Sequence, residues 1–467
     1  MSKSGFGRGE WCVVGDFNAV LHCGERKGLS LADRHGSSTE LIEFGEFVRD
    51  MELVDLPVLG RKFTWFHSNG IAMSRIDRVL VSEDWLRAWV NPSLWVLPRS
   101  ISDHCPLVLR FNSVDWGPRP FRFNNHWLLH KDFFRLVEEF WRNCNLTGWM
   151  AFILKEKLKG LKTHLREWNR ETYGMVDSKI AKLISDINSL DIRSEVTGLL
   201  EGEVALRKNL FSDMWHLRFS KASVLAQRAR LRWLREGDAN SRYFHATINS
   251  RGKKNFIRAL RVGEEWMESP VAIRQATVNF FKLHFASVQW SRPNLNGISF
   301  PAVLEADNIW LTRPFSMEEI EVVVKESDGN KSPGPDGFNF AFVKALWSIM
   351  KGEIRIMFDQ FHGIGTLPKS FSSYFVALIP KVNSPFSLGD FRPISLLGCF
   401  YKIIAKVLTT RLARVMDSLV ASTQSAFLKG RHLVDGVVVV NEIVDLARRT
   451  GQSCLILKVD FEKAYDS

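Results

Sequence analysis

Side chains that could act on phosphate occur near the start of the chain, at positions where strands should end. Asp16 and Asn18 follow one apolar run, Asp77 lies within a second, and Asp103 and His104 precede a third. Polar groups at strand ends can meet a ligand. One carboxylate can hold Mg²⁺, another can polarise water, and an imidazole can meet the charge that develops on a phosphate. These five residues predict a metal-dependent phosphodiesterase site.

Several of these residues also have a structural alternative. Asp16 could form a turn, Asp77 could pair with Arg75 or Arg78, and Asp103 could act as a cap. The occurrence of all of them in this order favours the catalytic interpretation.

A further carboxylate, Asp460, follows the apolar residues 454–459. That run predicts a buried strand with Asp460 at its end. A nucleotidyl-transfer site built on Mg²⁺ needs at least two carboxylates, because one group cannot neutralise two hard cations. Asp466 has a spacing that suits a local hydrogen bond better than a metal ligand. We therefore expect only the first of the acidic ligands here.

The elements that would position these residues change character along the chain. Apolar runs predict strands in the first third, and helical spacing predicts helices in the middle third, with a break at residues 114–120. A turn at residues 331–337 opens the last region. The predicted strands are 11–15, 63–66, 75–81, 105–111 and 374–379, and the predicted helices include 39–50, 133–141, 180–190, 342–361 and 401–420.

Composition restricts the class of protein. The 467 residues carry a net charge of +12 with a pI near 9.4, which favours a polyanionic partner such as nucleic acid. The six cysteines are far apart and lack zinc spacing, so we expect reduced and mostly packed thiols. We find neither a signal-peptide pattern nor a membrane-spanning run, which predicts an intracellular protein, nuclear or cytoplasmic, without a membrane partner.

A basic segment in the middle of the chain is a second candidate for binding. It interleaves cations with an aromatic ring, a composition suited to phosphate contact and base stacking. A solvated helix face is the alternative. The candidate nucleic-acid-binding residues are Arg228, Arg230, Arg232, Trp233 and Arg235.

Three motifs in the first third resemble the C-terminal half of the endonuclease/exonuclease/phosphatase family. They are Gly-Asp-Phe-Asn (15–18), Arg-Ile-Asp (75–77) and Ser-Asp-His-Cys-Pro (102–106), and Phe-Thr-Trp (63–65) resembles the retrotransposon branch of the family. The resemblance implies Asp16 and Asn18 at the scissile phosphate, Asp103 at the metal, and His104 paired with and oriented by Asp77. The family's metal-binding Glu and the first half of its layered sheet lie upstream of the first motif, so we expect half of that fold.

Motifs in the last third resemble the fingers and first palm strand of a reverse transcriptase from a LINE-type, non-LTR retrotransposon. They are Lys-Ser-Pro-Gly-Pro-Asp-Gly (331–337), Ala-Leu-Ile-Pro-Lys (377–381), Phe-Arg-Pro-Ile-Ser-Leu-Leu (391–397), Gln-Ser-Ala-Phe-Leu-Lys-Gly-Arg (424–431) and Lys-Val-Asp-Phe-Glu-Lys-Ala-Tyr-Asp (458–466). Residues 233–245 resemble the linker that joins endonuclease to polymerase in plant-type elements.

This second resemblance assigns roles to five residues. Asp460 would ligate both Mg²⁺ ions, or Mn²⁺ in their place, and Tyr465 would lie beneath the incoming sugar and favour deoxynucleoside triphosphates. Lys381, Arg392 and Arg431 would contact the triphosphate or the template, with Arg431 the favoured triphosphate contact. Core packing for Tyr465 and turn bracing for Arg392 remain alternatives.

Together the two resemblances predict the fold class and the organisation of the chain. The fold is α/β and α+β, with a partial α/β sandwich at 1–112, a mainly helical basic linker at 113–311, and a partial right-hand polymerase at 312–467. We expect a fragment of a polyprotein that nicks DNA and uses the freed 3′-hydroxyl to prime the copying of RNA. The second resemblance implies a further metal-binding acid from an aromatic-Ala-Asp-Asp motif, which the sequence lacks. Because catalytic motifs are thus missing at both ends, we expect this chain to be inactive. A non-catalytic nucleic-acid-binding remnant and a stand-alone phosphodiesterase are the alternatives.

Overall fold

A computed structural model describes residues 9–28, 33–89, 92–111, 115–229, 255–286, 296–382 and 384–459. Six of the candidate site residues lie outside these ranges. They are Arg230, Arg232, Trp233, Arg235, Asp460 and Tyr465.

The first third is a mixture of strands and two helices. The elements are β1 (Cys12–Asp16), β2 (Arg26–Lys27), α1 (Asp33–Asp50), β3 (Val54–Asp55), β4 (Val58–Leu59), β5 (Trp65–Phe66), β6 (Met73–Ser74), β7 (Asp77–Val81), α2 (Glu83–Ala88), β8 (Pro92–Val96) and β9 (Leu107–Phe111).

Helices dominate the middle third, as the periodicity predicts. The elements are α3 (Phe133–Asn143), α4 (Met150–Tyr173), α5 (Val176–Thr197), α6 (Glu201–Ala229), β10 (Leu260–Val262), β11 (Glu265–Met267) and α7 (Pro270–His284).

The last third places one pair of strands among helices. The elements are α8 (Glu305–Thr312), α9 (Met317–Glu326), α10 (Phe340–Ala345), α11 (Trp347–Ile364), β12 (Tyr374–Pro380), β13 (Phe391–Leu397), α12 (Cys399–Ala413), α13 (Met416–Leu419) and α14 (Leu433–Thr450). Strands β12 and β13 form a two-stranded sheet.

The described residues group into two compact units, and neither is a single continuous stretch. The first unit contains those within 9–119, 255–286 and 376–394, and the second contains those within 120–229, 296–375 and 395–459. The mixed α/β character expected from the sequence is confirmed.

Strand β7 is the centre of the layered part of the first unit. It pairs antiparallel with β1 on one side and with β3 on the other. Successive side chains of a strand point to opposite faces. Val79 and Val81 accordingly pack in a core shared with Leu94 of β8, whereas Leu80 packs in a different core with Phe44 of α1. The strand is therefore buried on both faces, and this fixes the position of Asp77 at its start.

Two further sheets complete the strands of this region. In one, β6 lies between β2 and β5, and in the other β8 pairs parallel with β4 and antiparallel with β9. The first unit also includes the β10–β11 hairpin. Through Trp266 the hairpin contacts Trp95 of β8, with ring centroids 5.2 Å apart, and Phe386 in the β12–β13 connection, 5.4 Å apart.

The second unit is built around a large apolar core. Phe133, Val137 and Trp141, spaced four residues apart on α3, are all buried in it, as the helical spacing predicts. One face of α4 enters the same core. Residues from α9 to α12 complete it, among them Ile320, Phe342, Ile354 and Ile403.

A buried ion pair ties two helices of the second unit together. The Arg411 guanidinium on α12 donates from Nη2 to Oε2 of Glu319, 2.8 Å away, and from Nε to Oε1, 3.1 Å away. Its other donor bonds go to the carbonyl oxygens of residues 311, 313 and 314. The same guanidinium lies 4.2 Å from the ring centroid of Phe315. Glu319 also closes the capping box of α9 with Ser316.

The turn at residues 331–337 requires glycine at position 334 for a steric reason that its Pro and Gly composition alone does not indicate. A Cβ on Gly334 would lie 2.3 Å from the carbonyl carbon of Leu397 and 2.5 Å from the nitrogen of Gly398. Asp336, in the same turn, is half-buried and accepts the backbone N–H of Cys399 at 2.5 Å. Only glycine at 334 lets this turn approach the start of α12 so closely.

Two predictions from the sequence need correction. Residues 454–459 were expected to form a buried strand, but they are exposed and form no strand. A strand requires a neighbour for its backbone N–H and C=O groups, and no described residue pairs with this segment. Most cysteines were expected to be packed, yet Cys12, Cys23 and Cys454 are exposed, although all six are free thiols. Among the described residues, no helix combines the length and apolarity required to cross a bilayer.

Candidate active site

The site is assembled where β1 ends and β7 begins. In the antiparallel register Asp16 is paired directly with Asp77, so two carboxylates that are 61 positions apart in the sequence become neighbours. The backbone N–H of Phe17 extends the pairing by donating to the carbonyl of Ile76 at 3.0 Å. Main-chain pairing thus brings both carboxylates to one edge of the sheet.

His104 joins these carboxylates through a direct side-chain contact. Its Nδ1 lies 2.9 Å from Oδ2 and 3.1 Å from Oδ1 of Asp77. An ionised carboxylate only accepts hydrogen bonds, so Nδ1 is the protonated, donating nitrogen. Ligand atoms of Asp16, Asp77 and His104 all lie within 4.8 Å of one another. The structure therefore brings three of the predicted residues into one group.

Thr64 holds the backbone on both sides of this group. Its buried hydroxyl accepts the N–H of Asp77 at 3.0 Å and that of Ile76 at 3.1 Å. Its carbonyl accepts the N–H of Cys105, next to His104, at 2.7 Å. One residue therefore fixes the segments that carry Asp77 and His104 relative to each other.

Asn18 lies beside Asp16 in a strained turn. Its φ is +51°, a left-handed conformation in which Asn is among the more tolerated residues. Its backbone N–H donates to Oδ1 of Asp16 at 2.9 Å. This bond orients the Asp16 carboxylate at the end of β1.

Asp103 is close in sequence to the three-residue group but is not part of it. Its Oδ2 accepts the indole N–H of Trp65 at 2.8 Å, and its backbone carbonyl accepts the N–H of Phe66 at 2.9 Å. The bond from Trp65 is the main reason that the pKa of Asp103 is lowered, with smaller contributions that include the charge of His104. Asp103 is thus kept ionised and held by β5.

The electrostatic surroundings favour a protonated His104. Partial burial alone would lower its pKa, but the hydrogen bond to Asp77 and the charges of Asp77, Asp16 and Asp103 outweigh that effect and raise it. In its protonated form the imidazole can donate a hydrogen bond from Nε2 to an anion while Nδ1 stays with Asp77.

A buried charge network lies behind the strand that carries Asp77. Arg75 and Arg78 both pair with Glu25 and Asp55, at 2.5 to 2.9 Å. Burial would raise the pKa of Glu25, but the hydrogen bond and charge of Arg78 and the charge of Arg75 lower it. For Asp55 burial is the larger effect and raises the pKa despite both arginines. Asp77 is therefore not the ion-pair partner of either arginine, and its carboxylate stays with His104.

The donor set suits a hard divalent cation. Carboxylate oxygens are the ligands that both Mg²⁺ and Mn²⁺ prefer. Asp16 and Asp77 would supply the oxygens, and His104, whose Nδ1 donates to Asp77, would lie beside the ion as a hydrogen-bond donor. Asp16 is exposed, whereas Asp77 and His104 are half-buried, so an ion could enter from solvent.

The cations predicted to contact nucleotides belong to different units. Lys381 and Arg392 lie in the first unit and Arg431 in the second. The Lys381 ammonium donates to the carbonyl of Gly389 at 3.0 Å, and Arg392 is exposed on β13. Arg228 is exposed in the last turn of α6.

Arg431 has a bracing position in its own loop. It donates to the carbonyl oxygens of Ala421, Val420 and Gln424, at 2.6 to 3.1 Å, and to Oδ1 of Asp417 at 3.1 Å. These bonds close the loop that precedes α14. A contact with a triphosphate would have to compete with them, and that role stays a prediction.

Sequence reasoning did not assign roles to Thr64, Trp65, Glu25 or Asp55. Thr64 and Trp65 belong to the Phe-Thr-Trp motif at 63–65, so their position in a recognisable motif was an available signal. Glu25 and Asp55 had none, because their arginine partners lie 20 to 53 positions away and only the folded sheet brings them together.

Two family models match parts of the chain. The model described as "Endonuclease/Exonuclease/phosphatase family" matches residues 4–104, and the one described as "Reverse transcriptase (RNA-dependent DNA polymerase)" matches residues 379–467. The first match includes Asp16, Asp77, Asp103 and His104.

Three similar curated proteins come from transposons or retrotransposable elements. The "Transposon TX1 uncharacterized 149 kDa protein" of Xenopus laevis is 27% identical over 97% of this chain and 35% of its own length. The "Retrovirus-related Pol polyprotein from type-1 retrotransposable element R1" of Bradysia coprophila is 26% identical over 32% of this chain and 15% of its own. The "Probable RNA-directed DNA polymerase from transposon BS" of Drosophila melanogaster is 24% identical over 40% of this chain and 20% of its own.

The chain thus spans about a third of the Xenopus relative and smaller shares of the two insect relatives. The chain therefore matches an endonuclease/exonuclease/phosphatase model in its first part and a reverse-transcriptase model in its last part, and it is similar to proteins of transposons and retrotransposable elements.

Proposed function

We propose that the group of Asp16, Asp77 and His104 is the phosphodiester-cleaving centre of a retrotransposon polyprotein that also carries out RNA-directed DNA synthesis. The polyprotein would nick DNA and use the freed 3′-hydroxyl to prime the copying of RNA. Its partners would be DNA, RNA and deoxynucleoside triphosphates.

One observation carries the proposal. Two carboxylates and an imidazole, from three separate stretches of sequence, meet within 4.8 Å at a sheet edge, inside the segment that matches a family of nucleases and phosphatases. Asp77 does not serve as the ion-pair partner of Arg75 or Arg78, because both arginines pair with Glu25 and Asp55 and Asp77 contacts His104.

The side chains have distinct parts in the proposed hydrolysis. Water adds to phosphorus and the P–O bond to the leaving oxygen breaks, which leaves one phosphorylated end and one hydroxyl end. Because Nδ1 of His104 is committed to Asp77, Nε2 is the nitrogen left to donate to a phosphate oxygen. Asp16 and Asp77 would hold Mg²⁺ or Mn²⁺, which stabilises negative charge on the phosphate when bound. Asn18 and Asp103 would act at the phosphate and at the metal, respectively.

Several finer expectations from the sequence stay predictions. They concern the plant-type lineage, the fragmentary nature and inactivity of the chain, and the domain limits at 112 and 311. The nucleotide roles of Lys381, Arg392, Arg431, Tyr465 and Asp460 and the nucleic-acid role of Arg228 to Arg235 belong with them. The similar proteins from Xenopus laevis, Bradysia coprophila and Drosophila melanogaster come from animals and do not test the plant-type lineage.

Metal binding and nicking test the proposal separately. Mn²⁺ binding to the purified chain, followed by electron paramagnetic resonance, should be lost in Asp16→Asn and Asp77→Asn. It should persist in Asp50→Asn, which changes an exposed carboxylate at the end of α1. A wild-type chain that binds no Mn²⁺ would overturn the proposal.

Nicking of supercoiled plasmid in Mg²⁺ then distinguishes the alternatives. Nicking that needs the metal and disappears in His104→Ala would support a stand-alone phosphodiesterase and refute the predicted inactivity. Metal binding without nicking would agree with an inactive chain.

A further inference from the structure

Helix α4 carries a row of cations that neither family match covers. Lys155, Lys159, Lys162 and Arg166 follow one another at intervals of four, three and four residues. Residues at such intervals share one face of a helix. With a rise of 1.5 Å per residue the row is about 16 Å long. The adjacent face of α4, including Leu154, Leu161 and Leu165, is buried in the core of the second unit, so the row is held in a fixed orientation.

A cavity of about 270 Å³ opens against the first three of these cations. Its other walls come from the turn at 331–337, the residues before β12 and the start of α12. Ser370 and Ser373 precede β12, and Tyr401 lies at the start of α12. Three lysines, two serine hydroxyls and a phenol therefore surround one opening. All of these residues belong to the second unit.

The positive charge of the cavity is only partly compensated. Asp336 is its single lining carboxylate, and its oxygens accept backbone N–H groups of Cys399 and Phe338. Glu156 pairs with Lys155 at 3.0 Å and with Lys159 at 3.4 Å. Such exposed pairs contribute little and exchange readily.

Lys162 is the most constrained cation of the row. Its ammonium donates to the carbonyl of Pro335 at 3.2 Å and lies 6.0 Å from the ring centroid of Phe121. Burial lowers its pKa, the charge of Asp336 opposes this, and the neighbouring charge of Arg166 adds to it. An anion in the cavity would relieve the repulsion between Lys162 and Arg166.

We infer that this face of α4 binds the phosphodiester backbone of a single strand of nucleic acid. Phosphate groups repeat at regular intervals along a strand of nucleic acid. A straight row of cationic side chains matches that repetition better than it matches a single anion. The cavity admits a sugar and phosphate but is too small for a duplex. The inference rests on the proposed function for nucleic acid as the partner and adds where a strand is bound, and strand binding requires neither the Asp16, Asp77 and His104 group nor any metal.

Fluorescence anisotropy with the full chain tests the inference in the presence of EDTA, which removes any dependence on the metal site. The probe is a labelled 20-nucleotide single-stranded RNA, with the same sequence as single-stranded DNA and as duplex DNA in parallel. The test variant changes Lys155, Lys159 and Lys162 to Gln. The matched control changes Lys182, Lys208 and Lys351 to Gln, three exposed lysines of the same unit, so that both variants lose equal charge.

We expect the test variant to bind single strands about tenfold more weakly at 100 mM salt. Loss of three phosphate contacts should also reduce the slope of log K against log salt concentration by about 2. The control should retain most of the affinity, and replacement of the same three lysines by Arg should preserve it. A preference for RNA or for DNA identifies which strand is bound.

The inference is overturned if the test and control variants lose affinity equally, because binding would then reflect net charge alone. It is also overturned if the test variant binds like wild type or if duplex DNA is preferred. Lys162 contacts Pro335, so its loss could affect folding. The double variant Lys155→Gln, Lys159→Gln, which leaves that contact intact, should still weaken binding severalfold.

Discussion

The indole Nε1 of Trp65 donates a hydrogen bond to Oδ2 of Asp103, with the two atoms 2.8 Å apart. Thr64 directly precedes Trp65, and its hydroxyl accepts the backbone N–H of Asp77. Neighbouring residues of one motif thus restrain two acidic groups of the candidate site.

Replacement of Trp65 by Phe should keep an aromatic ring but release Asp103. The pKa of Asp103 should rise, because the indole bond is the main cause of its lowering. If Asp103 serves the metal, Mn²⁺ affinity should fall about tenfold, as is typical when the partner of a ligand is removed. In an Asp103→Asn background the same change should have no additional effect. A full loss in that background would mean that Trp65 acts independently of Asp103.

The pKa of His104 should depend on Asp77. In the metal-free chain the bond to Asp77 and nearby carboxylates raise it above the ordinary value of 6.5. Stabilisation from this pair is therefore present below pH 6.5 and lost as pH rises through the folded pKa. Asp77→Asn should lower the pKa, since burial then acts with less opposition. NMR titration of ¹³C-labelled histidine, with His104→Gln for assignment, measures the change, and an unaltered pKa would contradict the pairing.

Thr64 offers a test of stability that does not require activity. Thr64→Val removes the acceptor of two N–H groups, those of Ile76 and Asp77. A buried donor without a partner costs about 1–3 kcal/mol, so the free energy of unfolding should fall by at least about 2 kcal/mol. Urea unfolding followed by circular dichroism measures this. Thr64→Ser keeps the hydroxyl and should lose much less, and equal losses would show that packing matters more than the hydrogen bonds.

Local patterns predicted the elements that owe their formation to a single apolar face. The spacing on α3 identified Phe133, Val137 and Trp141, because a helix that buries one face must repeat apolar residues every three or four positions. Strand β7, which is buried on both faces, lies within the predicted strand 75–81 because its continuous apolar run is typical of a buried strand. Asp16, Asp77 and His104 were found because their motifs carry the residue types that phosphate chemistry needs.

Features that depend on distant partners were beyond such patterns. Apolar content at 454–459 indicated a strand, but a strand forms only where another segment offers hydrogen bonds. The pairing of Arg75 and Arg78 with Glu25 and Asp55 depends on how β3, β7 and the residues before β2 meet. A one-dimensional sequence gives Arg75 a closer candidate in Asp77, and only the fold excludes it.

The last prediction concerns acid stability of the second unit. Burial alone would raise the pKa of Glu319, but the hydrogen bonds and charge of Arg411, with help from Ser316 and Arg313, hold it at about 2, against an ordinary value of 4.5. The pair should therefore stabilise the fold fully above pH 4.5 and lose its contribution as pH falls toward 2, by about 3 kcal/mol in all.

Arg411→Met should test this dependence by removing the donors of the pair. At pH 6 it should lower the free energy of unfolding by about 3–5 kcal/mol, because Glu319 and three carbonyl oxygens lose their partner. At pH 2.5 the difference from wild type should be smaller, because below pH 4.5 the unfolded chain binds a proton that folded Glu319 binds only near pH 2, and most of the contribution of the pair is by then lost. Arg411→Lys keeps the charge without the two-pronged geometry and should lie between the two. Urea unfolding at both pH values measures the difference in unfolding free energy between wild type and Arg411→Met. A difference that does not change with pH would show that the stabilisation comes from packing against Phe315 and not from the ion pair.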